Sequence, residues 1–90
     1  MLEIVISSRL KKDLRQIQKR GYKVELLQEV VDKLASGQSL DPKYRNHALA
    51  GDYNGFWECH ITPDWLPIYQ IKANELVLLL SRTGTHSDLF

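Results

Sequence analysis

The sequence holds one cysteine, Cys59, three prolines, no internal repeat and no low-complexity tract. A single thiol closes no internal disulfide and cannot hold zinc alone, so neither staple keeps so short a chain folded. No apolar run approaches the roughly 20 residues that cross a bilayer, and the opening apolar stretch is too short for a signal peptide. A cytoplasmic protein with no membrane partner is expected. What is present is 43% hydrophobic and 26% charged residues over 90 positions. That is enough for one packed core and too little for two, so one domain over residues 1–90 is expected, held by packing.

The net charge of +1 hides an asymmetry. Residues 1–45 carry ten Lys/Arg against six Asp/Glu, and residues 46–90 carry two against five. A basic first half can approach a polyanion, although the same lysines also serve simply to solubilise a small domain.

Leu2–Ile6 is short, β-branched and roughly alternating, as a strand requires. Ser7 or Ser8 can then cap a helix in which Leu10, Leu14 and Ile17 make one apolar stripe, with Lys12, Arg15 and Lys19 opposite and Lys11 and Arg20 at the margins. Gly21 stops it. Val24, Leu27, Val30, Val31 and Leu34 repeat the helical spacing up to Gly37, so two antiparallel helices form a hairpin. Residues 39–54 read as mostly loop. Three strand-like runs follow, 55–62, 65–72 and 76–82, with spacers too short for anything but hairpins. The predicted class is α+β, in the order β-α-α-β-β-β, with an antiparallel sheet packed against the helical hairpin. Alternation in the first run sends Trp57, Cys59 and Ile61 to the core and leaves Glu58 and His60 facing outward or into a groove. Leu89 and Phe90 close a polar tail and are expected to pin it to the body.

All three histidines, His47, His60 and His86, lie in the second half with Asp64, Trp65 and Arg82. Strand ends in a meander can converge. Imidazoles, a carboxylate and a guanidinium suit metal-free cleavage of RNA, where the 2′-hydroxyl is the nucleophile. The protein need only move two protons and stabilise a phosphorane. Histidine, with an ordinary pKa of about 6.5, serves for both transfers. Arg82 can clamp phosphate oxygens in its fork, and Trp65 or Phe90 can stack on an unpaired base. Each residue also has a plainer reading: Trp65 in the core, Arg82 solvated, Asp64 an ordinary turn residue, the histidines structural. A zinc site from Cys59, His47, His60 and His86 lacks paired ligand spacing. Spacing alone supports a nucleic-acid site and no more.

The segments Asn46-His47-Ala48-Leu49-Ala50-Gly51, Glu58-Cys59-His60-Ile61-Thr62-Pro63-Asp64-Trp65, Ile68-Tyr69 and Arg82-Thr83-Gly84-Thr85-His86-Ser87-Asp88-Leu89-Phe90 closely resemble the YafQ branch of the RelE-like toxins. The likeness runs in order and spacing from Leu40 to the C-terminus. It implies a toxin of a type II toxin–antitoxin pair, a ribosome-dependent endoribonuclease that cuts translated mRNA and needs no metal or small cofactor. It also implies an active site of His47, His60, Asp64, Trp65, Arg82, His86 and Phe90. There His86 is the general acid, Asp64 or His60 the base, Arg82 the phosphate clamp, His47 a phosphate holder and Phe90 an aligner of the tail. Trp57 stands where the family often has arginine. The implied partners are a cognate antitoxin, mRNA on the ribosome, ribosomal RNA against Lys12, Arg15 and Lys19, and operator DNA through the antitoxin alone. Two rivals remain: a non-catalytic antitoxin-binding module of the same fold, and a metal-dependent hydrolase.

Overall fold

The computed structural model describes residues 1–90. Strand β1 spans Glu3–Ile6, helix α1 Ser8–Lys19 and helix α2 Val24–Ala35. The Ser7 hydroxyl accepts from the Leu10 amide at 3.0 Å, capping α1 as its sequence predicts. Gly21 (φ 89°) and Gly37 (φ 80°) take the left-handed conformation that ends each helix. Strands β2 (His47–Ala48), β3 (Trp57–Glu58), β4 (Leu66–Lys72) and β5 (Val77–Gly84) follow, then a four-residue helix, α3, over His86–Leu89.

The α+β class stands, with one pairing that differs from expectation. The sheet order is β1-β5-β4-β3-β2, and β1 runs parallel to β5 rather than antiparallel. The long stretch between them, both helices and three further strands, supplies the connection that a parallel pairing requires. A short β2 also appears in the stretch read as loop, because His47 and Ala48 pair with Glu58 and Trp57.

Each face of the sheet carries a core. Leu10, Ile17, Leu27, Val30, Val31 and Leu34 of the helices pack on Cys59, Trp65, Tyr69, Leu78 and Leu80. On the opposite face Leu66, Ile68 and Leu89 form a smaller cluster, covered by Leu49, Tyr53 and Phe56. This second cluster pulls the polar tail onto the sheet, with Leu89 buried and Phe90 left half exposed. Only the first of the two expected pins is therefore sealed.

Candidate active site

Sheet register assembles the site. His47 pairs with Glu58, Glu58 with Ile68, and Ile68 with Arg82, so four strands contribute one row of side chains to one face. With strands about 4.8 Å apart, Glu58 and Arg82 lie about 10 Å from one another along this row. Arg82 joins it only through an irregularity: Ile68 faces Arg82 while Tyr69 faces Leu80, which leaves Ser81 as an extra residue. Simple alternation would place Arg82 with Leu78 and Leu80 beneath the helices. The bulge turns it to the other face.

The centre of the row is Glu58, 5% exposed. Its Oε1 lies 2.8 Å from His47 Nε2 and 3.9 Å from His60 Nε2, while Oε2 is buried and has no hydrogen-bond partner. The two imidazoles stack with centroids 6.3 Å apart. His47 Nδ1 is 2.7 Å from the Arg45 carbonyl, so both its ring nitrogens face acceptors. That leaves His60, one-fifth exposed, with a free Nδ1 and a carboxylate behind its other nitrogen. Sequence reasoning noted Glu58 on the face of His60 but did not count it in the site. Alternation points Glu58 outward or into a groove and Trp57 to the core; Glu58 is buried between the two imidazoles, and Trp57, on the face of Tyr69, is not sealed. The imidazoles of His47 and His60 flank Glu58, whereas Trp57 lines an open cleft with Leu34 and Tyr69 and is 41% exposed.

Arg82 is not a free strand-end guanidinium. Its Nε and one terminal nitrogen donate to the two oxygens of Asp13 at 2.9 and 3.2 Å. The Asp13 carboxylate raises the Arg82 pKa still further above its usual value. Two of its five N–H donors are thus engaged by Asp13, Tyr53 is within reach of the guanidinium, and donors remain for another anion. Tyr53 lies on both sides of this corner. It adds to the shift on Arg82, and its ring meets Phe90 edge-on at 5.5 Å. Phe90 in turn lies 4.7 Å from the exposed His86 ring, so α3 carries His86 beside Arg82's neighbours.

Two predicted site residues stand differently. Trp65 is fully buried and its Nε1 donates to Thr83 Oγ1 at 2.9 Å, so it cannot stack on a base. Packing of Trp65 against Tyr22, with centroids at 5.3 Å, claims its face for the core. Asp64 is exposed, but its two oxygens accept from Tyr22 at 2.8 Å and Thr62 at 2.9 Å. Those hydroxyls hold its carboxyl below the usual range, Tyr22 contributing most. None of its hydrogen bonds reaches an imidazole. Lys12, Arg15 and Lys19 line the exposed side of α1 and form no ion pair, while Arg20 is taken up by Asp88 at 2.6 Å. Cys59 is buried, and burial pushes its thiol up to about 12, out of reach as a nucleophile.

Residues 2–90 match the family model described as "Bacterial toxin of type II toxin-antitoxin system, YafQ". This chain belongs to the YafQ toxin family. The mRNA interferase toxin YafQ of Escherichia coli K12 is 34% identical over 89 residues, covering 98% of this chain and 95% of that protein. A crystal structure described as a metal-bound toxin from Helicobacter pylori is 48% identical, superposes with a TM-score of 0.94, and is matched over the whole of both chains. YafQ in the E. coli DinJ–YafQ complex is 31% identical at a TM-score of 0.90, over 100% of this chain and 99% of that one. Family membership accounts for the whole two-faced sheet, tail included.

Proposed function

We propose that this YafQ-family chain is an endoribonuclease that cuts translated mRNA on the ribosome, with His60, backed by Glu58, as its base. The observation that carries this reading is the buried Glu58 carboxylate held between two imidazoles in the row that ends at Arg82. His60 Nδ1 takes the proton of the 2′-hydroxyl, whose oxygen attacks the adjacent phosphorus. Glu58, 3.9 Å from Nε2, stabilises by its charge the cation that forms. The free N–H groups of Arg82 stabilise the phosphorane, with His47 helping to hold the phosphate. His86 gives its proton to the departing 5′-oxygen, which leaves a 2′,3′-cyclic phosphate and a 5′-hydroxyl. Asp64, doubly hydrogen-bonded and strongly ionised, is the poorer base. The reaction calls for two proton transfers and an anion clamp, and the proposed chemistry uses no metal.

The relatives support the rest. An antitoxin accompanies the E. coli relative in its complex, and a cognate antitoxin is the partner proposed for this chain. The unpaired cations of α1 are proposed to meet ribosomal RNA.

Cleavage on mRNA-programmed ribosomes tests the assignment. Glu58→Gln and His60→Ala are expected to slow cleavage at least 100-fold without loss of the folded state. Undiminished cleavage in both overturns it. Cleavage that stops with a chelator and returns with one metal overturns the metal-free chemistry. A wild-type chain that leaves translation untouched is an antitoxin-binding module.

A further inference from the structure

A cleft of about 550 Å³ opens between α2 and the Pro42–Arg45 turn, outside the row already described. Lys33, Lys43 and Arg45 line it, with His60 on its inner wall and Glu29 its one carboxylate. None of the three cations forms an ion pair. Two of them are gathered at one ring: the ammonium groups of Lys33 and Lys43 lie 5.9 and 5.2 Å from the centroid of Tyr44. Three cations against one carboxylate leave an excess of like charge, and an anion placed among them relieves the repulsion. Arg45 has a left-handed backbone (φ 49°), uncommon for a residue with a side chain, and its carbonyl is the acceptor that fixes His47. The same residue thus lines the cleft and orients the site.

We infer that this cleft is an anion subsite that takes the phosphodiester of a nucleotide flanking the one cleaved. The inference rests on the nuclease reading for the direction of the strand, since His60 is the wall that the cleft and the site share. A polynucleotide that reaches the partly exposed His60 and continues past it enters the cleft with its backbone charge facing Lys33 and Lys43. Cleft size is in the range of nucleotide-sized ligands.

The test uses a 2′-O-methyl oligoribonucleotide, which binds but cannot be cut, with affinity measured against salt concentration for the wild type and the Lys33→Gln/Lys43→Gln double variant. Lys43 is exposed and Lys33 half-buried, and an unchanged melting temperature serves as the folding control. The double variant is expected to bind at least tenfold more weakly at low salt, with the log–log salt slope reduced by about 0.7 for each phosphate no longer neutralised. In cleavage assays KM should rise while kcat stays near the wild-type value. Equal affinity and slope in variant and wild type overturn the subsite. Loss of binding to an acidic antitoxin peptide, with RNA binding intact, also overturns it and assigns the cleft to the antitoxin. A wild-type chain that binds with the lysine-dependent slope yet cuts nothing supports the subsite and sinks the nuclease reading alone.

Discussion

Asp13 occupies the apolar stripe of α1 between Leu10 and Ile17, a position where an unpaired carboxylate would be costly. Strand β1 ends at Ile6, opposite Leu80, so beyond Leu80 the edge of β5 has no strand beside it. Ser7 and Asp13 fill the gap: Ser7 donates through its amide to the Leu80 carbonyl and through its hydroxyl to that of Ser81. Asp13 accepts from the Thr83 amide at 3.2 Å and from the Arg82 fork. The clamp proposed for phosphate is therefore also a structural partner. Its removal should destabilise the fold, contrary to what an exposed strand-end arginine would suggest. Arg82→Ala is expected to cost about 2–3 kcal/mol in urea unfolding, because it leaves Asp13 buried with one amide donor. Asp13→Ala should cost a similar amount, and the double variant less than the two together. An Arg82→Ala chain as stable as wild type would return the residue to solvent. Trp65→Phe offers a separate check. Losing the bond to Thr83 should lower stability by about 1 kcal/mol and leave RNA affinity unchanged, as befits a sealed ring.

At the scale of elements, α3 is too short to stand alone and is held by its neighbours. Thr85 and Asp88 cap it reciprocally, with the Thr85 amide donating to Asp88 at 2.9 Å and the Asp88 amide to Thr85 at 3.3 Å. Arg20, at the end of α1, donates to both Asp88 oxygens. A side chain at Gly84 would press on Asp88, since a Cβ there would lie 3.1 Å from its Cβ and Oδ2. The Arg20 guanidinium, then the Thr85 amide, holds the Asp88 carboxyl far below its usual value. A carboxyl depressed on folding adds stability at neutral pH that is lost as the pH falls through its folded value. The tail, with His86 and Phe90, is thus expected to loosen only in strong acid. In Arg20→Ala the loosening should begin nearer the ordinary carboxylate range. Amide exchange across residues 85–90 reads this out, and equal protection in both chains would count against the clasp. The same element shows what was legible beforehand. Leu89 marked the tail as packed, and the cap, the glycine stops and the apolar stripes announced both helices. The bulge at Ser81 was not legible, because it depends on which β4 residue faces Arg82. Nor was the burial of Glu58, which follows from a two-residue strand and from the imidazoles that flank it.

Over the whole molecule, the charge asymmetry of the sequence becomes a division between surfaces. Leu10, Asp13 and Ile17 turn inward on α1, so Lys12, Arg15 and Lys19 point away from the sheet, while the Glu58 row lies on the sheet face opposite α1 and α2. The molecule measures 35 × 29 × 28 Å, and no helix in it is long and apolar enough to cross a membrane. A protein of this size wedged into a crevice of RNA meets polyanion on more than one side. On the proposed reading, the α1 surface contributes to ribosome affinity without touching the message. Replacing Lys12, Arg15 and Lys19 together with glutamine removes three exposed, unpaired cations and should leave the melting temperature nearly unchanged. Ribosome affinity is expected to fall with a shallower salt slope, while binding of the isolated 2′-O-methyl oligonucleotide stays as in the wild type. Lys33→Gln/Lys43→Gln should do the reverse, sparing the ribosome contact more than the oligonucleotide. If both variants lose both affinities in proportion, the surfaces are not separate, and the basic first half acts only as a diffuse field that attracts any RNA.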